Sequence, residues 1–170
     1  MTNQNAILPA IALRGTTILP GMIVHFDVSR ERSKKAIEAA MLHDQKIFLV
    51  TQIDPEVENP DVSGVYRVGT IGYIKQVVKL PQDILRVLVE GTGRAVLEDF
   101  QQDFPYLTGV ISPVKEEETL LPDTVTEAMY RSLKELFHRY CMENGKISKE
   151  LVSQILNIES LEELIEQIAV

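Results

Sequence analysis

Hydrophobic and polar positions alternate through residues 65–95 as two β-strands joined by a short polar break. Leucine and valine occupy the odd positions from Leu85 to Val89, while Arg86 and Glu90 fall on the other face, because successive side chains of a strand point to opposite faces. The break runs from Leu80 to Asp83. Glycines at positions 69, 72, 91 and 93 are typical of bulges and close backbone approaches in a curved sheet. The pattern predicts a hairpin with one buried face, within a closed or nearly closed barrel.

Apolar runs on either side of the hairpin predict four further strands, at 7–15, 18–26, 47–50 and 104–114. A Pro-Gly bend lies in the second of these, and Gly109 is expected to interrupt the last. Between them, Ser29 is the expected N-cap of a helix that runs through Met41. Its apolar stripe is Ala36, Ile37, Ala40 and Met41. An acidic surface loop is expected from Asp54 to Ser63.

Strand patterning ends at residue 114 and helical patterning follows. We therefore predict a β-barrel domain at 1–114, an acidic linker at 115–123 and a helical subdomain at 124–170. Thr124 and Glu127 form a capping-box pattern that opens the first helix. The side chains that this helix is expected to bury are Val125, Met129, Leu133, Leu136, Phe137 and Tyr140.

Two shorter helices are predicted after it, one starting near Ser148 and one opened by a second capping box at Ser160 and Glu163. The apolar stripe of the last helix is Leu161, Leu164, Ile165 and Ile168. We expect this stripe to pack inside the same chain, with pairing to a second chain as the alternative. The stripe has no terminator, which suggests that the helical subdomain is truncated at its C-terminus.

Composition narrows the class of protein. With 170 residues and 45% hydrophobic side chains, the chain can bury an ordinary core. No stretch approaches the ~20 apolar residues of a membrane-spanning helix, and the N-terminus lacks the basic start of a secretory signal, so we expect a cytoplasmic protein without membrane contact. The single cysteine, Cys141, is expected to be a small buried apolar residue. A net charge of −8 disfavours nucleic acid as a partner.

No arrangement of residues indicates catalysis, a cofactor or a metal. Ser33 and Lys34 are neighbours only in sequence, whereas a serine-lysine dyad needs a lysine of lowered pKa beside the serine. The glycines at 91–94 have neither the spacing nor the lysine of a phosphate-binding loop. The histidines His25, His43 and His138 are far apart in sequence, without metal-ligand spacing. We expect this chain not to be an enzyme.

Two groups of residues are candidates for binding protein. Glu31, Arg32 and Lys35 crowd the start of the first helix, where the alternative is an ordinary solvated face. Met22, Ile23 and Phe26 could form an exposed apolar groove, where the alternative is that they fill the barrel core. Such a groove would take unfolded polypeptide through apolar contacts or by adding a strand to a sheet edge.

Several short segments occur in a fixed order along nearly the whole chain: Leu13-Arg14-Gly15, Leu19-Pro20-Gly21-Met22, Arg32-Ser33, Ile47-Phe48-Leu49-Val50, and the block from Val68 to Ala95. In this order and spacing they resemble the N-terminal domain of the Lon family of ATP-dependent bacterial proteases. One departure is the turn, where Gln82-Asp83 stands in place of an Asn/Asp-Gly pair. Asp83 is therefore expected to take a strained, left-handed position that the family gives to glycine.

The resemblance implies an α+β fold: a PUA-like, mostly antiparallel β-barrel with one helix, followed by an α-helical subdomain. It implies a non-catalytic domain for substrate recognition and assembly, acting in protein quality control. The expected partners are unfolded, damaged or tagged proteins, the remaining Lon modules and neighbouring subunits of a homohexamer. ATP, magnesium and the Ser-Lys dyad would belong to those other modules. The alternative is a stand-alone PUA-like interaction module that binds a small ligand or nucleic acid.

Overall fold

The computed structural model describes residues 5–114 and 123–169. They fall into two units, 1–115 and 116–170. Of the predicted acidic linker, only Asp123 lies within the described residues, and it already belongs to a helix. Each unit is considered by itself below.

Six strands form the sheet of the first unit: β1 (Ala6–Leu13), β2 (Ile23–Val28), β3 (Lys46–Thr51), β4 (Val68–Leu80), β5 (Ile84–Gln102) and β6 (Leu107–Pro113). Their order is β2-β5-β4-β3-β1-β6, and β6 also pairs with β5, which closes the sheet into a barrel. The pairing of β1 with β3 is parallel and the others are antiparallel. The predicted fold class is confirmed. Gly109 does not interrupt the last strand, because it pairs with Leu8 on one side and Phe100 on the other.

The barrel core confirms the alternation in the hairpin. Leu85, Val87 and Val89 are buried, and they pack with Ile11, Ile47 and residues of the helix in one cluster. A second cluster lies around Phe48, Leu97 and Ile111. Two register shifts in the pairing of β4 with β5 bend the hairpin, as expected for a small curved sheet.

Gly91 is the point of closest backbone approach in the barrel. Its amide donates to the carbonyl of Met22 and its carbonyl accepts from the amide of Gly21, both at 2.9 Å. A Cβ at this position would overlap the carbonyl oxygen of Leu19. By contrast, a Cβ on Gly93 would meet no atom within 4 Å. The predicted close approach is therefore confirmed at Gly91 and does not apply to Gly93.

Helix α1 (Glu31–Met41) packs against β1, β3 and β6. Ala36, Ile37 and Ala40 are buried as predicted, but Met41 is exposed. The prediction of Ser29 as N-cap is wrong. Arg30 is the N-cap, with an extended backbone and no side-chain cap, because a guanidinium has no acceptor for a helix amide; it donates instead to the carbonyl of Ala12.

The turn between β4 and β5 is a short 3-10 segment, Pro81–Asp83. Gln82 and Asp83 both have left-handed backbones, with φ of 64° and 57°. The strained position expected for Asp83 is thus observed, and it extends to Gln82. Neither residue is glycine, so the turn carries a conformational cost that contacts elsewhere must offset.

The second unit contains three helices, α2 (Asp123–Glu143), α3 (Lys149–Leu156) and α4 (Leu161–Ala169). Helix α3 starts next to Ser148, as predicted, and Ser148 caps it by accepting from the amide of Leu151 at 3.2 Å. Ser160 caps α4 by accepting from the amide of Glu163 at 3.2 Å, which is the serine half of the predicted capping box, and its hydroxyl donates to Glu162 Oε2 at 3.1 Å. Thr124 is not the N-cap of α2, because it lies inside the helix.

The core of the helical unit is small. It consists of Phe137, Cys141, Ile155 and Leu164, with further apolar side chains packed around it, including Ile168. Burial of Cys141 and packing of Leu164 within the same chain are confirmed. The prediction of burial is wrong for five side chains, all of which are exposed: Val125, Met129, Leu136, Tyr140 and Ile165. For the four residues of α2 the physical reason is length: α3 and α4 have eight and nine residues, too few to cover the whole apolar arc of a 21-residue helix.

Candidate protein-binding surfaces

The three apolar candidates of the barrel do not form one groove. Ile23 is 62% exposed, whereas Met22 and Phe26 are partly buried and pack against the barrel core. Ile23 and Phe26 are three residues apart on β2, so their side chains point to opposite faces. Met22 and Phe26 therefore serve the core, and Ile23 alone presents an exposed apolar surface. Protein binding at these positions stays a prediction.

The charged candidates at the start of α1 each have a partner inside the barrel unit. Glu31 bonds Lys34 at 2.7 Å, and Arg32 Nη1 donates to Asn59 Oδ1 at 2.9 Å. The ammonium of Lys35 lies 5.7 Å from the centre of the Phe104 ring. Phe104 itself is strongly exposed, so Lys35 and Phe104 together form a mixed cationic and aromatic surface. Their role in binding protein also stays a prediction.

Lys34 joins α1 to the tip of the hairpin, a contact that the sequence did not reveal. The lysine is buried, and its ammonium donates to Asp83 Oδ2 and to Glu31 Oε1. These two hydrogen bonds raise the pKa of Lys34, and the bond with Asp83 has the larger effect. The bond with Lys34 likewise lowers the pKa of Asp83. A lysine of raised pKa is the opposite of the general base that a serine-lysine dyad requires.

The Lys34–Asp83 bond leads to a prediction about pH. Since the pKa of Asp83 is lowered on folding, its contribution to stability is present above the unfolded value of about 3.9 and is lost as pH falls through the folded pKa. Asp83→Asn should therefore lower the melting temperature at neutral pH, and the difference from the parent should shrink below the unfolded value of about 3.9 and close as pH falls through the lowered pKa of the folded state. Asparagine tolerates the left-handed backbone, so the substitution isolates the charge.

At alkaline pH the contribution of Lys34 to stability depends on pH in the opposite direction. Because the pKa of Lys34 is raised, its contribution is complete below about 10.4 and is lost as pH rises through the folded pKa. Thermal melts of both proteins from acid to alkaline pH would check this. A melting difference that stays constant across the whole range would show that the Lys34–Asp83 bond does not carry the effect.

Arg30 anchors the acidic loop to the barrel. Its Nη1 donates to Gln52 Oε1 and to the carbonyl of Glu58, both at 3.0 Å. Arg14 makes a longer bond, 3.4 Å, to the carbonyl of Val57 in the same loop. Burial, followed by repulsion from Arg14 and Arg32, lowers the pKa of Arg30. The arginines at this edge of the barrel thus face the acidic loop, and the charge of Glu58 acts on Arg30 in the opposite direction to that of Arg14 and Arg32.

The helical unit presents its apolar surface on the outer side of α2. Val125, Met129, Leu136 and Tyr140 lie at helical spacing on this side, each 42–58% exposed; we call them the α2 stripe. Beyond its C-terminal end, Met142 is more exposed still, at the edge of a groove of about 650 Å³ between α2 and α3. Ile147, Val152 and Leu156 also line this groove. Sequence reasoning missed the stripe as a surface because it assigned those residues to a core.

Across residues 5–114 and 123–169, no three histidine, cysteine or acidic side chains come together in a way that could hold a metal ion. Nor does any helix in those segments have the length and apolar character to cross a membrane.

Comparison with known proteins places the barrel and the helices in one family. Residues 7–170 match the model of the ATP-dependent protease La (LON) substrate-binding domain. The chain is 43% identical over 170 residues to a Lon protease of Lachnoclostridium phytofermentans, covering 100% of this chain and 21% of that protein. It is 40% identical over 162 residues to the Lon protease of Brevibacillus choshinensis, covering 95% of this chain and 20% of that protein.

Among solved structures, the N-terminal domain of a Lon protease from the Mycobacterium avium complex has a similar fold. The TM-score is 0.73 at 19% identity, with 95% of this chain and 80% of that chain covered. A closed barrel followed by a helical unit is thus the architecture of a Lon N-terminal domain. The chain belongs to the LON substrate-binding domain family, and it spans about one fifth of the length of the curated relatives it matches.

Proposed function

We propose that this chain is the part of a Lon-type, ATP-dependent protease that engages unfolded or damaged proteins and helps to organise the hexamer. The α2 stripe carries the proposal. Its four large side chains continue the apolar arc of a small core but are exposed to solvent. Contact with another apolar surface would remove them from water, which is favourable. Since the family is described as substrate-binding and its relatives are proteases, the occupant we infer is the exposed apolar segment of an unfolded protein.

Methionine suits this surface to many different substrates. Met129 is flexible and polarizable, so it can adapt to apolar side chains of different shape. Each contact is weak, and a hexamer would raise the overall affinity by presenting several copies. ATP, magnesium and the catalytic dyad would act in the modules outside this chain, in the cytoplasm. Net charge −8 opposes nucleic acid as an alternative partner.

The methionine methyl groups give a direct test. The 170-residue chain, labelled at its methionine methyls, is titrated with a permanently unfolded protein whose C-terminus is amidated. We expect the signal of Met129 to shift while that of Met41 in the barrel stays in place. The folded parent of the unfolded protein should shift neither signal. Equal shifts from the native and unfolded forms would contradict the proposal.

Substitutions test whether the α2 stripe is the surface that binds the unfolded protein. Leu136→Ser should weaken binding about fivefold, since contact of one half-exposed leucine is worth about 1 kcal/mol. Leu42→Ser removes another exposed leucine, in the barrel unit, and should leave binding unchanged. A loss of binding in Ile23→Ser, with none in Leu136→Ser, would move the binding surface from α2 to strand β2.

A further inference from the structure

The turn between α2 and α3 begins with an asparagine followed by a glycine. Helix α2 ends at Glu143, and the chain passes through Asn144 and Gly145 before α3 begins. Both residues of the pair are exposed, so water reaches the side chain of Asn144 and the backbone that follows it. A Cβ on Gly145 would meet no atom within 4 Å. There is therefore open space around the peptide bond that joins the two residues.

The backbone nitrogen of Gly145 meets the requirements for attack on the side chain of Asn144. In any asparagine the side-chain amide carbon, Cγ, lies within a few bonds of the next backbone nitrogen, and such proximity makes ring closure an intramolecular reaction. The attack needs a nitrogen that is neither crowded by a side chain nor engaged in a hydrogen bond. Gly145 has no side chain, and its amide makes no hydrogen bond to any residue that the structure describes.

The other asparagines within residues 5–114 and 123–169 have less suitable neighbours. Asn59 precedes a proline, which has no N–H. Asn157 precedes Ile158, whose branched side chain crowds the nitrogen and whose amide donates to a carbonyl of α3 at 3.2 Å. Asn5 precedes an alanine, which crowds the nitrogen more than a glycine does. The asparagine after α2 is thus singled out by its neighbour.

The side chain of Asn144 takes part in the end of α2. Its Nδ2 donates to the carbonyl of Tyr140 at 3.1 Å, and the backbone amide of Asn144 donates to the same carbonyl at 2.9 Å. The last carbonyls of a helix have no partner inside the helix, so such bonds define how it ends. Any chemical change at the side-chain amide of Asn144 therefore changes the end of α2.

We propose that Asn144 is a site of spontaneous deamidation. The nitrogen of Gly145 loses its proton and attacks Cγ of Asn144, the Cγ–Nδ2 bond breaks, and Nδ2 takes up a proton and leaves as ammonia. Water then opens the resulting succinimide at one of its two carbonyl groups. Opening at Cγ gives aspartate, whereas opening at the main-chain carbonyl gives isoaspartate, in which the main chain runs through Cβ and Cγ. In total, one water is consumed and one ammonia is released.

Either product disturbs the end of α2. A carboxylate cannot donate, so the bond from Nδ2 to the carbonyl of Tyr140 is lost. The new negative charge lies at the C-terminal end of the helix, where the helix dipole opposes it. Isoaspartate also lengthens the turn by one main-chain carbon. Because Gly145 lines the groove between α2 and α3, this lengthening alters one wall of the groove.

The test incubates the folded 170-residue chain in warm, mildly alkaline buffer and follows it by peptide mapping with mass spectrometry. We expect the mass change of an amide that becomes an acid to be fastest in the peptide that contains Asn144, with aspartate and isoaspartate both present there. A synthetic peptide of residues 140–150 gives the reaction without the fold. Conversion at Asn144 no faster than at Asn157 would overturn the proposal. So would an Asn144 that survives in the folded chain while the synthetic peptide is converted.

Matched variants separate the chemistry from the fold. Gly145→Ala should fold normally, because its Cβ meets open space and the backbone there is not left-handed, but its methyl group crowds the nitrogen and should slow the reaction several-fold. Asn144→Gln should abolish the reaction at this turn, because its longer side chain would have to close a larger ring. Asn157→Gln is the control and should leave the rate unchanged. Equal rates in the parent and in Gly145→Ala would show that the nitrogen of Gly145 is not the nucleophile.

The consequence for α2 has its own measurement. Asn144→Asp reproduces one of the two products and should melt earlier than the parent, because it loses the bond to Tyr140 and gains the opposed charge. Thermal melts of freshly prepared parent, aged parent and Asn144→Asp should therefore fall in that order, with the aged parent between the other two or close to the variant. An unchanged melting temperature in Asn144→Asp would overturn the effect on the helix end.

Discussion

Leu164→Ala is expected to lower the free energy of unfolding of the helical unit by about 2–5 kcal/mol, because the side chain is fully buried among Phe137, Cys141 and Ile155. In so small a core no other layer can fill the cavity. Ile165→Ala is the matched control, one residue further on the same helix and 47% exposed. It should change stability by no more than about 0.5 kcal/mol. Denaturant unfolding followed by circular dichroism would measure both.

Sedimentation of the same variants separates packing from association. Because Leu164 is covered within its own chain, Leu164→Ala should melt earlier without any change in mass in solution. If the variant instead kept the parent stability and changed from dimer to monomer, the stripe on α4 would be an interface between chains.

Gly91→Ala is expected to destabilise the barrel by about 1–3 kcal/mol, as overpacking does in a well-packed core. The new methyl group would overlap the carbonyl of Leu19, and relieving that overlap would disturb the two 2.9 Å bonds that join Gly91 to Gly21 and Met22. Gly93→Ala, two residues along the same strand, meets open space and should be nearly neutral. Thermal melts of the pair would check this. Equal losses would mean that proximity to Leu19 is not what requires glycine at position 91.

The elements that were predicted well are those that local pattern determines. Alternation from Leu85 to Val89, the buried run of β3 and the start of α3 near Ser148 each depend on residues close in sequence. Burial on α2 was overestimated because periodicity identifies an apolar face but not the length of the partner that covers it. The error at Ser29 has a similar origin. A serine before a helix is a good cap in general, but α1 begins one residue later than that serine would place it, so Arg30 takes the N-cap position.

The candidate sites were harder to predict because they join distant parts of the chain. Lys34 and Asp83 are 49 residues apart, and nothing in either segment signals the other. By contrast, the sequence alone could have separated Ile23 from Phe26, because residues an odd number of positions apart on a strand lie on opposite faces.

The pairing of the first barrel strand with the last has a consequence for folding during synthesis. Ala6 on β1 lies opposite Ile111 on β6, so a chain that leaves the ribosome from its N-terminus cannot close the barrel until residues near 111 have emerged. Until then the apolar strand β1 lacks one neighbour and can pair wrongly. The helices of residues 123–169 need only local contacts and emerge afterwards. Slowing translation once residue 114 has emerged from the ribosome would therefore give the barrel time to close before the helical unit appears.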